Sequence, residues 1–304
     1  MTDVARVSAF GRQAANVGRA LPFSESIGSP DELPEALAAA LKTALGAEAD
    51  ALQLIIHSPA FSTAGQSTPE NVFALTSTRW ILVAKTATGT VTSTAPFAAA
   101  AVIELTMILL GGQLRIESVG GVAGCAVGFN MVSIELFRAA VFIMLAGARP
   151  AATNPTRGGN IEAELAVLSF KFRTALQEQT PSGVQLRDVR SWTSEVSPLA
   201  RLFFMKPAAP AGVLAVTDCY LGVITDPPAG KEKQHKGKSP HGKIATYVLR
   251  QHPLALHLPP PQRRGDSTVR IAFDGNVGFS LSVPARQIGG IASLLSALFP
   301  PAAS

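Results

Sequence analysis

The strongest candidate for binding chemistry is one basic stretch, KEKQHKGKSPHGK, in which only Glu232 opposes the lysines. Its charged and titratable side chains are Lys231, Lys233, Lys236, Lys238 and Lys243, together with His235 and His241. Such a cluster attracts phosphate groups, acidic lipid or an acidic partner, with an affinity that falls as salt rises. Arg263 and Arg264, in a later turn, join this anion-binding site if the fold brings the two loops together. The plainer interpretation is a solvated loop between strands, whose charge aids solubility.

Signatures of catalysis and metal binding are missing from the sequence. It contains no GxSxG nucleophile elbow, no GxxxxGK[ST] phosphate loop, and no CxxC or Cys/His zinc spacing. Cys125 and Cys219 lie in apolar strand patterns and are predicted to be buried free thiols. We therefore expect no cofactor, no metal and no catalytic residue. An enzyme whose site is assembled from distant residues stays open as an alternative.

Composition limits the class of protein. The chain has 304 residues, 47% of them hydrophobic, which is enough for two cores. Its net charge of +5 is modest and only 6% of its residues are aromatic, whereas nucleic-acid binders more often interleave a dense basic face with aromatics. The N-terminus lacks the apolar core of a signal peptide, and the apolar run Phe97–Gly112 is interrupted by Glu104. We expect a cytoplasmic protein that binds no nucleic acid.

The first half of the chain predicts a helix, several short strands and a closing helix. Residues 1–28 show no sustained period and are expected to be a mobile segment. SPDELPEALAAALKTALG, from Ser29, has early acidic residues and leucines near helical spacing. Strand patterns follow in ALQLIIHSP and FALTSTRWILVAK, whereas FAAAAVIELTMILL fits either a helix or strand material. MVSIELFRAAVFIMLAGA then predicts a closing helix, so that residues 29–148 form a first domain.

The second half repeats this order after a linker at 149–160 that is rich in proline and glycine. IEAELAVLSFKFRTALQEQ predicts one helix. The later elements are strands in VQLRDVRSW, LAVTDCYLGVITD, KIATYVLR and ALHL, a hairpin turning at Asp274-Gly275, and a final helix in RQIGGIASLLSALF. Residues 161–304 are thus a second domain. Each copy carries a threonine near the start of a strand, Thr76 or Thr217, expected to cap the preceding turn.

Three segments of the first half resemble, in order, motifs of bacterial pleckstrin-homology-like domains. They are NVFALTSTRWILVA, AVIELTMILLGGQLRIE and VGFNMVSIELFRAAVFIML, which match a T-x-x-R strand, an IELG–LLYG–L segment and an FNTVS–LF helix entry. LAVTDCYLGVIT, GKIATYVLR and the terminal helix resemble the family in the second half. The resemblance covers residues 49–148 and 184–300. It departs from the pattern at Gly111-Gly112, where an aromatic–glycine pair is usual, and at Cys219-Tyr220, where the second copy would carry an arginine.

The resemblance implies a mainly β, α+β fold with two tandem half-open antiparallel barrels, each closed by a C-terminal helix. It also implies that AVIELTMILL is a strand and a connection. Related domains often bind phosphoinositides through basic residues in the loop after the first strand. Here that loop, HSPAFSTAGQSTPEN, has no lysine or arginine, so this function does not carry over to the first domain.

Two function classes remain beside the enzyme alternative. The first is a non-catalytic binding or scaffold module that engages a peptide, a partner protein or a second copy of itself. It would do so through a sheet edge or the groove beside the closing helix. The second is peripheral binding to anionic membranes through residues 231–243.

Overall fold

The computed structural model of the chain describes residues 23–63, 66–108, 111–148, 161–194, 209–227, 242–250, 255–260, 266–274 and 277–299. The chain divides into two compact units, Met1–Arg149 and Pro150–Ser304. In each unit, helix precedes a series of antiparallel strands and a closing helix follows them. The mainly β, α+β fold predicted from the sequence is confirmed, and among the described residues no sheet closes on itself.

The described part of the first unit holds ten strands and two α-helices. In chain order they are β1 (Glu25–Ser26), α1 (Glu35–Leu45), β2 (Leu52–Ser58), β3 (Phe61–Thr63), β4 (Gln66–Thr68), β5 (Asn71–Thr76), β6 (Arg79–Thr86), β7 (Gly89–Pro96), β8 (Ala100–Ile108), β9 (Gly111–Ser118), β10 (Cys125–Asn130) and α2 (Ile134–Gly147). Strands β1, β2, β5, β6 and β7 pair in that order, and β8, β9 and β10 follow as a second antiparallel run. β3 and β4 form a separate hairpin.

The central strands of the first sheet are buried on both faces. Helix α1 packs on one face through apolar residues at helical spacing, among them Leu37, Leu41 and Leu45. The sheet side chains in that layer are Ile55, Val72, Ala74, Ile81 and Val83. Alternate residues of the same strands are buried as well, including Phe73 and Trp80, because the period of two turns them to the opposite face. Trp80 is therefore a core residue.

The segment that precedes the first helix is partly held in the sheet. The sequence suggested a mobile segment over residues 1–28, of which 1–22 lie outside the described residues. Glu25 and Ser26 instead pair with His57 and Ile56 on the outer edge of β2, and the Ile27 amide donates to the Ile55 carbonyl at 3.0 Å. Regular strand pairing holds only two residues of this segment, which is why no strand period is visible there.

The described part of the second unit holds seven strands and three α-helices. They are α3 (Ile161–Val167), α4 (Phe170–Glu178), β11 (Leu186–Trp192), β12 (Gly212–Thr217), β13 (Tyr220–Thr225), β14 (Gly242–Leu249), β15 (Ala255–His257), β16 (Asp266–Ala272), β17 (Gly278–Pro284) and α5 (Ile288–Leu298). β11, β12, β13 and β14 pair in chain order, as do β15, β16 and β17. α3 packs against β11 and α4 against β13.

The sequence predicted continuous elements at places where the structure has a break. One break divides a predicted helix, and the other kind divides a predicted strand into a hairpin. The single helix predicted over 161–179 is two helices, because Ser169 has extended backbone and its hydroxyl accepts from the Phe172 amide, which starts α4 anew. FALTSTRWILVAK is a hairpin and not one strand, and so is LAVTDCYLGVITD, in which β12 ends at Thr217 and β13 begins at Tyr220. Thr76 ends β5, and β6 begins at Arg79 after a two-residue turn.

The ambiguous segment Ala100–Ile108 is strand β8, as the resemblance implied, and pairs with β9. β9 begins with the Gly111-Gly112 pair that departs from the family pattern. A Cβ atom on Gly112 would lie 2.3 Å from the Phe129 ring, which stacks on Phe137 of α2 with centroids 4.0 Å apart. Gly112 therefore makes room for the aromatic side chain that joins β10 to the closing helix.

Candidate functional site

The structure places only one of the seven predicted anion-binding residues. Lys231, Lys233, Lys236 and Lys238 belong to residues 228–241, and Arg263 and Arg264 to residues 261–265, which lie outside the described residues. Lys243, in β14, is described: its Nζ lies 3.2 Å from Glu178 Oε2, and its side chain is 24% exposed. An ion pair of this exposure contributes little to stability, but it fixes where the basic stretch rejoins the sheet.

The described residues on either side of residues 228–241 both pair with the same helix. Lys171, in the first turn of α4, pairs with Asp226, which follows β13, while Glu178 at the end of α4 pairs with Lys243. Two large apolar side chains lie exposed where α3 meets α4, Val167 at 73% and Phe170 at 82%. The described base of the basic stretch thus combines ion pairs with exposed apolar surface.

The first threonine turn is a compact polar cluster. Thr76 is fully buried, and its hydroxyl accepts from the backbone amides of Thr78 and Arg79, each at 3.2 Å. The same hydroxyl donates to Glu48 Oε2 at 2.9 Å. It therefore caps the turn that follows the strand, and not the preceding turn that the sequence suggested.

Arg79 extends this cluster to the end of helix α1. Its Nε donates to Glu48 Oε2 at 3.1 Å, and its Nη2 donates to the carbonyl oxygens of Ala44 and Leu45, each at 3.0 Å. The last carbonyls of a helix have no partner inside the helix, and a cation is favourable there. The hydrogen bond from Thr76, together with Arg79 and Thr78, outweighs desolvation and lowers the pKa of Glu48. These contacts account for every residue of the T-x-x-R motif structurally.

The second threonine turn repeats the hydrogen bonds of the first but has other neighbours. The Thr217 hydroxyl accepts from the amides of Cys219 and Tyr220 at 3.2 and 3.0 Å, and donates to the Tyr220 carbonyl at 2.8 Å. Tyr220 occupies the position of Arg79 and packs edge-to-face on Tyr247, with centroids 5.3 Å apart. The Tyr247 hydroxyl donates to the carbonyl of Gln179, the residue that caps α4.

A histidine cluster that sequence reasoning missed lies at the edge of the first sheet. His57, which the sequence placed only in a strand beside a turn, has its Nδ1 3.2 Å from Glu25 Oε1. Its Nε2 lies 3.0 Å from Glu70 Oε1, and Lys85 Nζ lies 3.3 Å from the other Glu70 oxygen. Burial alone would raise the pKa of Glu70, but the hydrogen bonds from His57 and Lys85 outweigh it, so that the pKa is lowered. The three glutamate and lysine residues lie 13 to 32 positions from His57, with no motif between them.

Strand β7 forms the opposite edge of the same sheet. It pairs with β6 over its whole length, from Thr86↔Gly89 to Arg79↔Pro96, without a bulge. Among the described residues, no strand pairs with its outer edge. The sequence holds no charged residue from 86 to 103, a signal that could have indicated an unprotected edge.

The described residues provide neither a cluster of metal ligands nor a membrane-spanning helix. In the parts of the chain that the structure describes, no three His, Cys, Asp or Glu side chains are grouped so that they could hold a metal ion. None of the described helices has both the length and the apolar character needed to cross a membrane.

Both cysteines are free, but only Cys125 is buried as predicted, whereas Cys219 is partly exposed. Trp192, like Trp80, is in the core, and its Nε1 donates to the Pro210 carbonyl at 2.8 Å.

Comparison with known proteins yields no relative: no family model, no curated protein and no solved structure matches this chain.

Proposed function

We propose that the chain is a cytoplasmic, non-catalytic binding protein of two pleckstrin-homology-like units, which captures an extended segment of a partner protein on the edge of β7. The order of elements supports the family assignment. In each unit, four strands that pair in chain order precede three more and a closing helix, once β1 and the β3–β4 hairpin are set aside. Antiparallel strands followed by a closing C-terminal helix are what the resemblance implies for each unit.

The regular, uncharged edge of β7 is the observation that carries the proposal. Exposed strand edges are usually protected by charges, proline, bulges or covering segments, because their free backbone groups pair with other chains. Before Pro96 at its end, β7 carries no charge, proline or bulge; helix α1 packs against the strand, but among the described residues no strand pairs with its outer edge. Half of its residues are β-branched, and Val91, Thr92 and Thr94 are exposed. A strand of this kind suits pairing with an extended peptide through backbone hydrogen bonds.

Panning a random peptide library displayed on phage against the purified protein tests this function. We expect enriched peptides whose binding falls at least about tenfold in the double variant Val91→Lys/Thr92→Lys, since edge lysines oppose strand addition. The matched control is Ala87→Lys/Thr88→Lys, which adds the same two charges in the exposed turn just before β7. Binding by this control should equal that of the wild type. A library without binders, or binders indifferent to the double substitution, would contradict the proposal.

A second candidate function is peripheral binding to anionic membranes through the basic stretch 231–243. The observation that favours it is the exposed pair Val167 and Phe170, beside helix α4, which pairs with Asp226 before the stretch and with Lys243 at its end. Basic clusters attract acidic lipids, and apolar side chains beside them add affinity by entering the interface.

Co-sedimentation with phosphatidylcholine vesicles, with and without phosphatidylserine, tests the second candidate at low and moderate salt. We expect binding only to the anionic vesicles, lost when Lys231, Lys233, Lys236 and Lys238 are replaced by glutamine. Lys243 is left in place because it pairs with Glu178. Equal sedimentation of both proteins would exclude this function.

A further inference from the structure

His57 lies between two carboxylates at the edge of β2 that β1 covers. Its side chain is 11% exposed, and each ring nitrogen faces a glutamate oxygen, from Glu25 on one side and Glu70 on the other. Lys85 contacts the far oxygen of Glu70. These three are the charged side chains that the described residues place around the ring.

The number of hydrogen-bond donors on the ring decides how many of these contacts are favourable. An imidazolium has two N–H donors and can bind both carboxylates at once. A neutral imidazole has one N–H and one lone pair, so one of the two carboxylates must then face an acceptor. The hydrogen bonds to Glu25 and Glu70 therefore form together only when the ring carries its second proton.

The two carboxylates are not equally easy to release. The Glu70 side chain is 14% exposed and is also bound by Lys85, whereas that of Glu25 is 62% exposed. Burial of a carboxylate without a partner is costly, so a neutral ring keeps its single donor for Glu70. Glu25, which can turn towards water, is the contact that is lost.

Strand β1 depends on such side-chain contacts because it is short. Apart from the pairing of Glu25 and Ser26 and the Ile27 amide bond, it is held by Ser24 and by the packing of the Ile27 side chain against the core. The Ser24 amide donates to Ser133 Oγ at 2.9 Å, and the Ser24 hydroxyl bonds with that of Ser58 at 2.7 Å. Without the Glu25 contact, the side-chain contacts that still hold the strand are the serine hydrogen bonds and the packing of Ile27.

We propose that His57 is a proton-controlled latch, which as an imidazolium binds Glu25 and Glu70 together and holds β1 on β2, and which as a neutral ring releases Glu25 and loosens the strand. Opening of β1 exposes the backbone groups of Ile55, Ile56 and His57 that face it, and so creates a second free strand edge on this sheet. Histidine is the side chain that ordinarily changes charge between about pH 5 and 8.

Amide hydrogen exchange of residues 23–28 in the full chain tests the latch. We expect the protection of the Ile27 amide, corrected for the intrinsic pH dependence of exchange, to fall about fivefold between about pH 5.5 and 8.5. This is the size that one partly exposed ion pair supports. In Glu25→Gln, which changes an exposed residue and should leave the fold intact, protection should be low and nearly independent of pH.

His57→Gln should show the same loss of pH dependence, and His257→Gln is the matched control because His257 is exposed in the second unit. Protection at Phe273, whose amide donates to the Val277 carbonyl in that unit, serves as the internal reference. Wild-type protection at Ile27 that does not change with pH would overturn the proposal. So would an undiminished pH response in Glu25→Gln.

Discussion

The two threonine turns make the same local hydrogen bonds but connect to the leading helices of their units in different ways. In the first turn, Arg79 reaches from β6 to the last carbonyls of α1 and shares Glu48 with Thr76. In the second, Tyr220 stands in the place of Arg79 and packs on Tyr247, which bonds to the carbonyl at the end of α4. The end of the leading helix is thus bound by a charged side chain in the first unit and through a pair of aromatic side chains in the second.

This difference shows which part of the repeated pattern is required. The threonine hydroxyl satisfies two backbone amides of a two-residue turn, a need that both copies share. The contact to the helix end requires only some donor that reaches the last carbonyls, so a guanidinium and a phenol both serve. A motif defined by the arginine would miss the second copy, whereas one defined by the threonine finds both.

The largest effect is expected from loss of the threonine hydroxyls. Thr76→Val and Thr217→Val should each lower the free energy of unfolding of their own unit by about 2 kcal/mol, since each leaves two turn amides without an acceptor. The protein has two tryptophans, Trp80 and Trp192, buried in different units, so fluorescence of Trp192→Phe and Trp80→Phe backgrounds reports one unit each.

Serine at either position is the control, because it keeps the hydroxyl and loses only a methyl group. We expect the serine variants to lie much closer to the wild type than the valine variants. Equal destabilisation by serine and valine would show that packing of the methyl group, and not capping, explains the threonines.

A smaller effect is expected from the contacts to the helix ends. Arg79→Met should destabilise the first unit by about 1–2 kcal/mol, because Ala44 and Leu45 lose a charged donor. Tyr247→Phe should cost the second unit about 1 kcal/mol, because a neutral hydroxyl is lost. Denaturant unfolding read from the tryptophan of each unit measures both.

Lys42→Met is the matched control for Arg79→Met, since it removes a cation that lies in helix α1 itself and whose ion pair among the described residues is with exposed Asp31. Its effect should be much smaller, as is usual for exposed ion pairs. If Lys42→Met and Arg79→Met destabilise equally, the contact with the helix carbonyls has no special role.

The smallest expected effect is a difference between the two units in how their stability depends on pH. The pKa of Glu48 is lowered in the folded state, so the carboxylate stabilises the first unit above the ordinary glutamate value of 4.5, and this contribution is lost as pH falls through the lower folded value. In Glu48→Gln, the midpoint of unfolding of the first unit should fall less steeply with acid.

Some acid dependence should persist in Glu48→Gln, because the pKa values of Glu70 and Asp31 are lowered as well. The second unit, where Thr217 donates to a carbonyl instead of a carboxylate, should respond to acid identically in both proteins. An unchanged slope for the first unit would show that Glu48 does not stabilise it through its charge.

The sequence predicted the regular elements where a period of two or 3.6 runs over a whole element. The hairpin over 266–284 and the closing helices are examples. It failed where a single residue interrupts a continuous apolar pattern, as the turn does after Thr76 and the cap does at Ser169. At such points hydrogen bonding of one side chain to nearby amides outweighs propensity, and hydropathy does not record it.

The predicted site could be followed only at Lys243, which the structure pairs with Glu178. The clusters around Glu48 and His57 had no motif, because their members are brought together by strand pairing. His57 meets Glu25 through the register of β1 on β2. A strand with only two paired residues is too short to leave a recognisable pattern in the sequence. The uncharged run that includes β7 was visible, but only the sheet order identifies it as an edge.

By itself, the sequence determined the mainly β, α+β class, the repeated order of elements and the threonine at each turn, because these depend on local period and on hydrogen bonds between near neighbours. Only the tertiary structure decided that Arg79 and Tyr247 complete the helix ends, that His57 meets Glu25 of β1, and that β7 is left without a partner strand among the described residues. Those outcomes depend on packing between residues far apart in the chain, where many sequences satisfy the same geometric need.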